Sequence, residues 1–212
     1  MSCTLSKSFI SLLVIIVLGV AALAAPPPDD VNKKEERQKV AKALEGKPAP
    51  AFKADFALNG KVAGLADLKG KVVVLEFWAL WCPYCVQSFK SNNELHAKYK
   101  DKGVEVVGLT SYFENYALDK KTGKLVGLPQ KMTPAQERAA IKDFAAFHKM
   151  EHRILFLTDK EYVRASEVYG RGSVPNYYVI DKKGDVRFFQ AGISDQTAQV
   201  IGQVVDKLLK ED

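Results

Sequence analysis

Leu75-Glu76-Phe77-Trp78-Ala79-Leu80-Trp81-Cys82-Pro83-Tyr84-Cys85 is the stretch on which the reading of this chain turns. An apolar run, residues 72–75, enters it, and a polar, helix-permissive segment, residues 86–100, leaves it. A strand is therefore predicted to hand over directly to a helix, with two cysteines at the junction. Thiols separated by two residues lie one helical turn apart, close enough to close a small disulfide ring. Cys82 falls where free backbone N–H groups and the positive end of the helix dipole stabilise a thiolate. That placement suits thiol–disulfide exchange better than a structural staple, which would tie together only adjacent residues and constrain little.

The rest of the composition is compatible with such a site. A chain of 212 residues has room for one full-sized domain plus extras, and its 47% apolar content supplies a proper core. Thirty-one basic against 25 acidic residues leave a net charge of +6. The lysines come in small groups (Lys33 and Lys34, Lys120 and Lys121, Lys182 and Lys183) with carboxylates between them. A nucleic-acid binder concentrates its charge on one helix or stripe, so these read as solvated surface and no nucleic-acid partner is expected. Of the three cysteines, Cys3 precedes an apolar run, and Cys82 and Cys85 are the only thiols in the remainder. A disulfide-stapled scaffold needs more pairs in a shorter chain.

Residues 9–25 are almost wholly apolar, Lys7 precedes them, and Ala22 and Ala24 stand in the relation a signal peptidase accepts. Residues 1–24 thus read as a signal peptide, with an uncleaved membrane anchor as the competing reading. Both leave Lys7 on the cytoplasmic side and the domain outside the cytoplasm, in the periplasm or its equivalent. Residues 25–45 read as a charged linker or helix. Glu35 precedes Lys39 by four residues and Gly46 marks the end, but apolar positions are too sparse for a core face, which predicts a linker or a loosely docked helix.

Residues 46–212 form the predicted domain. Pro48-Ala49-Pro50 forces an extended entry into an alternating strand, residues 52–58, and Asn59-Gly60 signals a hairpin whose return begins at Val62. Residues 71–78 read as a buried central strand and residues 82–100 as a helix with Phe89, Leu95 and Tyr99 inward. A strand at 104–109 follows. Thr133-Pro134-Ala135-Gln136 is a capping box that starts a helix reaching about His148, with Ala140, Ile141, Phe144 and Phe147 expected to be buried. A strand at 154–157, a helix at 160–169, a hairpin at 176–190 and a last helix ending near Leu209 complete an α/β pattern, a central mixed β-sheet flanked by helices.

The order of strand, Trp-Cys-Pro-Tyr-Cys, helix, and a late hairpin opened by Val174-Pro175 resembles the thioredoxin fold. Gly46-Lys47-Pro48-Ala49-Pro50-Ala51-Phe52 and Leu68-Lys69-Gly70-Lys71 narrow the resemblance to the TlpA-like branch, extracytoplasmic thiol–disulfide oxidoreductases with an N-terminal β-hairpin extension. The resemblance covers residues 46–209. It implies that Cys82 attacks, that Cys85 resolves the mixed disulfide, and that Cys82–Cys85 is the redox-active disulfide, with no further cofactor. A carboxylate in an otherwise apolar strand should have a raised pKa, and the resemblance makes Glu76 the acid that moves the proton of the second cysteine. Many TlpA-like proteins are expected to have a neutral side chain there, a point at which this chain departs from the branch. Pro175 matches the family's cis-proline, which turns the backbone of Val174 outward to pair with substrate near Cys82. Trp81 and Trp78 are candidates to frame the thiols, Trp78 equally a core residue, and Pro83-Tyr84 is the dipeptide of glutaredoxins.

His96, His148 and His152 show no metal-ligand spacing with the cysteines, so no metal is expected. Residues 111–132, with Tyr112, Phe113, Tyr116, Gly123, Gly127 and Pro129, form an insertion between strand and helix that reads either as a packed flap beside the cysteines or as a plain surface insertion. A peroxiredoxin would need a threonine where Ala79 stands, and a thioredoxin-like copper chaperone would space its cysteines by three and add a histidine near Pro175. The family branch implies a reductant; an oxidase or isomerase would use the same residues. The implied partners are protein thiols and disulfides outside the cytoplasm and a membrane or periplasmic electron donor, with the chain acting as a monomer.

Overall fold

The computed structural model describes residues 28–112, 115–194 and 196–211. The segment read as a targeting signal, residues 1–24, lies outside them, as does Phe113. In chain order the elements are α1 (Pro28–Lys42), β1 (Phe56–Leu58), β2 (Val72–Phe77), α2 (Pro83–Tyr99), β3 (Val104–Ser111), β4 (Tyr116–Asp119), β5 (Lys124–Gly127), α3 (Pro134–Phe147), β6 (Arg153–Leu157), α4 (Asp159–Val168), β7 (Asn176–Ile180), β8 (Val186–Ala191) and α5 (Thr197–Leu208). Six strands make one mixed sheet in the order β1-β6-β3-β2-β7-β8. β2 lies inside it, parallel to β3 and antiparallel to β7.

β2 shows no polar alternation because helices cover both of its faces, and all six of its residues are buried. Side chains of a strand alternate between faces. Val73, Leu75 and Phe77 pack in one cluster with Ala165 and Tyr169 around α4. Val72 and Val74 pack on the other face with Leu95 and Tyr99 of α2 and Ile201 and Val205 of α5. Glu76, two residues beyond Val74, shares that second face. It is thus aimed at α2, the helix that carries the cysteines.

Three expectations are corrected. The Asn59-Gly60 turn forms, with Asn59 at φ +57°, but it does not close a hairpin; β1 instead pairs antiparallel with β6. Asn59 Nδ2 donates to the carbonyls of Met150 and His152, and Ala63 and Leu68 are drawn into the core, which carries the returning chain away from β1. Gly60 lies against the Arg153 side chain, whose Nε a Cβ there would meet at 2.6 Å. Second, the C-terminal part of α1 is docked rather than loose. Its Ala41 is fully buried, and backbone replaces the missing apolar stripe, because Gly170, at φ +63°, lets the α4 end approach the Arg37 carbonyl, the Ala41 amide and Val40 directly. Third, Phe147 is 43% exposed and Ala140 only half-buried, although Ile141 and Phe144 are buried and the Thr133 capping box forms.

The insertion folds as a hairpin of its own, β4 paired antiparallel with β5. Asp119 closes its turn by accepting from Thr122 Oγ1 at 2.6 Å and from the Lys121 amide at 3.0 Å. Leu118 and Leu125 pack against the core, Lys120 Nζ lies 2.9 Å from Asp143 of α3, and Gly123, at φ +70°, sits so close to the Phe147 ring that a Cβ would collide with it.

At the far side of the sheet, residues 45–49 run along β8. The Gly46 amide donates to the Val186 carbonyl, the Val186 amide to the Lys47 carbonyl and the Ala49 amide to the Gly184 carbonyl, while Glu45 Oε1 accepts from the Phe189 amide.

Candidate active site

Cys82 is the N-cap of α2. Its backbone is extended (φ −93°, ψ 106°), Pro83 takes the first helical position, and Cys82 Sγ accepts from the Cys85 amide at 3.2 Å. A sulfur in that place receives both a free helix-end N–H and the positive end of the dipole, the two influences that favour thiolate over thiol. Cys82 and Cys85 form a disulfide with Cα atoms 5.3 Å apart. Cys85 is fully buried and Cys82 is 3% exposed, whereas Trp81 and Tyr84 stand out at 58% and 63%. Exposed aromatic residues thus flank the nearly buried outer sulfur in the chain.

The Val174–Pro175 bond is cis, and the Val174 carbonyl lies 3.7 Å from Cys82 Sγ. In the disulfide that sulfur carries no proton, so the approach is a contact rather than a hydrogen bond. Trp78 takes no part in this surface. It is buried between Phe89 and Phe144, its carbonyl accepts from Tyr162 at 3.0 Å, and it belongs to the core.

Glu76 is fully buried behind the pair. Its Oε1 accepts from Ser88 Oγ at 2.5 Å and from Tyr177 at 2.9 Å, and its Oε2 from Asn92 Nδ2 at 2.6 Å. Burial disfavours the charge more than these donors favour it, and the carboxyl pKa rises from 4.5 to about 7. A group with that value holds and releases a proton near neutrality. Ser88 also reaches the Cys85 carbonyl at 2.6 Å, which links the acid to the turn that bears the second cysteine.

Ser88, Asn92 and Tyr177 were not singled out in the sequence. A signal for two of them exists: Cys85, Ser88 and Asn92 follow the spacing that puts residues on one helical face, so a buried Cys85 drags both polar side chains inward. Tyr177 is the β7 partner of Glu76 in the ladder, a neighbour that only the strand register reveals. His152 is buried with Nδ1 3.1 Å from Asn93 Oδ1, and His148 packs on Phe144. Neither stands with the cysteines as a candidate ligand, and among the described residues no cluster of His, Cys, Asp and Glu could hold a metal.

Beside Cys82 a groove of about 440 Å³ runs between the start of α2 and the inserted hairpin. Trp81, Pro83 and Val86 form one side, Tyr116, Lys124 and Leu125 the other, with Phe144 and His148 beneath.

Fold and site together place the chain among the thioredoxin-like thiol–disulfide oxidoreductases, with Cys82 and Cys85 as its Cys-x-x-Cys pair. It belongs to the Redoxin family, whose model matches residues 44–205. Among its relatives, a thiol-disulfide oxidoreductase ResA of Bacillus cereus is 30% identical, the match covering 77% of this chain and 78% of that one. The thioredoxin-like protein YneN of Bacillus subtilis is 31% identical over 70% of this chain and 72% of its own. A solved thiol-disulfide isomerase from Corynebacterium glutamicum is 26% identical with a TM-score of 0.57, covering 77% of this chain and 98% of that one.

Proposed function

We propose that this chain reduces protein disulfides outside the cytoplasm. The observation that carries the chemistry is the position of Cys82 Sγ, which caps α2 and accepts the Cys85 amide. In the reduced protein a Cys82 thiolate attacks one sulfur of a substrate disulfide, forming the mixed disulfide and expelling the other substrate sulfur as thiolate. Glu76 takes the proton of Cys85, directly or through its hydrogen-bonded neighbours. The Cys85 thiolate then attacks Cys82 Sγ, releasing the second substrate thiol and leaving the Cys82–Cys85 disulfide. Two electrons have passed to the substrate, and a membrane or periplasmic dithiol donor returns them. The Val174 carbonyl, beside Cys82, offers a main-chain partner for an extended substrate, and Trp81, Pro83, Tyr84 and Pro175 shape the surface it meets.

The apolar residues 9–25 with Ala22 and Ala24 support export, and the direction of electron flow follows the TlpA-like resemblance. The Cys85→Ala variant, expressed with its leader in a bacterial host, is expected to accumulate extracytoplasmic proteins as mixed disulfides on Cys82, released by dithiothreitol. Absence of such adducts counts against the substrate class. Equilibration of the purified domain with glutathione tests direction, since a potential of about −120 mV, that of the strong oxidant DsbA, would sink the reductase reading. An isomerase uses the same two sulfurs, and the C. glutamicum isomerase neighbour favours it as a second reading. Recovery of activity from scrambled ribonuclease without added reductant would support that reading.

A further inference from the structure

We propose that the groove between α2 and the β4–β5 hairpin is a specificity pocket for the substrate polypeptide. Its occupant is a large apolar or aromatic side chain next to the substrate's reactive cysteine. The inference rests on the reading of Cys82 as the attacking sulfur and adds to it the chemistry of the residue beside the target.

The groove opens beside the residues that flank the reacting cysteine. Trp81 and Pro83, which line it, are the chain neighbours of Cys82 on either side, so a polypeptide joined to Cys82 has its next residues at the mouth. Cys82 itself is almost buried, which excludes approach by a flat protein surface and requires a protruding, extended segment. Such a segment brings side chains against the exposed Trp81 ring, a large apolar surface left open to water. A space of about 440 Å³ falls in the range of pockets that bind small ligands, roughly 300–1,000 Å³. Leu125, Val86 and the faces of Trp81, Tyr116 and Phe144 favour a ring or a branched aliphatic group.

The charge at the groove selects further. Lys124 stands at its edge, burial lowers the pKa of His148 on its floor, and no carboxylate lines it among the described residues. A cationic neighbour is therefore disfavoured and an acidic one favoured. The far wall is built rather than draped: the Lys120–Asp143 ion pair, the Gly123–Phe147 contact and the inward Leu118 and Leu125 hold the hairpin on α3.

The test uses the reduced protein and short peptides with one cysteine held as its thionitrobenzoate mixed disulfide. Attack by Cys82 on the peptide sulfur forms a new S–S bond and releases thionitrobenzoate, whose absorbance gives the rate. Peptides with Phe, Glu-Phe, Gly or Lys next to the cysteine are compared, each rate divided by that with dithiothreitol. The Phe peptide is expected to react about tenfold faster than the Gly peptide, the scale on which apolar pockets discriminate, and the Lys peptide slowest. Tyr116→Ser should move the Phe-to-Gly ratio toward one, and Lys124→Glu should remove the advantage of the acidic peptide over the basic one. Equal normalised rates for all peptides, or ratios unmoved by both variants, overturn the pocket while leaving exchange itself intact. No reaction with any peptide overturns the role of Cys82 on which the pocket depends.

Discussion

Ser88 Oγ lies 2.5 Å from Glu76 Oε1 and 2.6 Å from the carbonyl oxygen of Cys85, yet a hydroxyl has one hydrogen to place between two acceptors. The one hydrogen is either shared between the two acceptors or, when Glu76 is protonated and donates to Ser88, passed on to Cys85. An ionised Glu76 competes with the Cys85 carbonyl for that hydrogen. The charge of the acid is in this way tied to the first turn of α2.

Ser88→Ala removes one of the donors that hold the Glu76 pKa down. The carboxyl is expected to titrate above its present value of about 7, and the pH limb of thiol exchange assigned to Glu76 should move the same way. Carbon-13 NMR of the Glu76 carboxyl reads the first and stopped-flow exchange the second. An unmoved titration would show that Ser88 does not tune the acid. The missing bond in a buried site should also cost about 1–3 kcal/mol of stability.

Glu76→Gln keeps the shape and removes the charge. Burial favours the neutral acid, so its contribution to stability is fully present below about pH 4.5 and is lost as pH rises through about 7. The shift corresponds to about 3 kcal/mol. Between pH 5 and pH 8 the stability of the native protein relative to the variant, read by urea unfolding of both, should fall by about 2–3 kcal/mol, and the variant is also expected to exchange more slowly. Parallel declines in both proteins would assign the pH dependence elsewhere.

His152 acts with the opposite sign. Burial, with His96 nearby as a smaller cause, pushes its pKa from 6.5 to about 3. The unfolded chain therefore binds the proton first, and this contribution is present above about pH 6.5 and lost as pH falls toward 3. Its full size is on the order of 5 kcal/mol. His152→Asn should flatten the acid limb of stability between pH 6.5 and 3.5; an unchanged slope would mean that other groups carry acid unfolding.

Gly108 of β3 faces Trp78 and Ile154, and a Cβ there would come within 2.9 Å of each. Gly108→Ala is expected to destabilise the domain by about 1–3 kcal/mol through overpacking and to alter the fluorescence of the buried Trp78. A change within measurement error would show that the indole can slide without loss.

Much of this was legible in the residues because the signals were local. The apolar run into Cys82, the Thr133 capping box and the proline that opens β7 each declare their structure within a few positions. Local signals failed where a distant partner decided the outcome. Asn59-Gly60 makes its turn, but the strand that pairs with β1 arrives about a hundred residues later. Ser88 and Asn92 look like solvent-facing polar residues until Glu76, on a neighbouring strand, gives them a buried acceptor. Ala41 looks too small to anchor a helix until Gly170 removes the side chain that would hold the backbones apart.

The strip at residues 45–49 bears on how the proposed protein substrates are met. A protein that receives extended, cysteine-bearing chains is exposed to recruiting them as extra strands, the route by which open sheet edges seed aggregates. On the β8 side that strip takes up hydrogen-bonding groups which would otherwise lie open, and on the other side β1 offers only three residues. An incoming chain therefore finds a short border on either side, which favours attachment through the sulfur–sulfur bond of the proposed exchange.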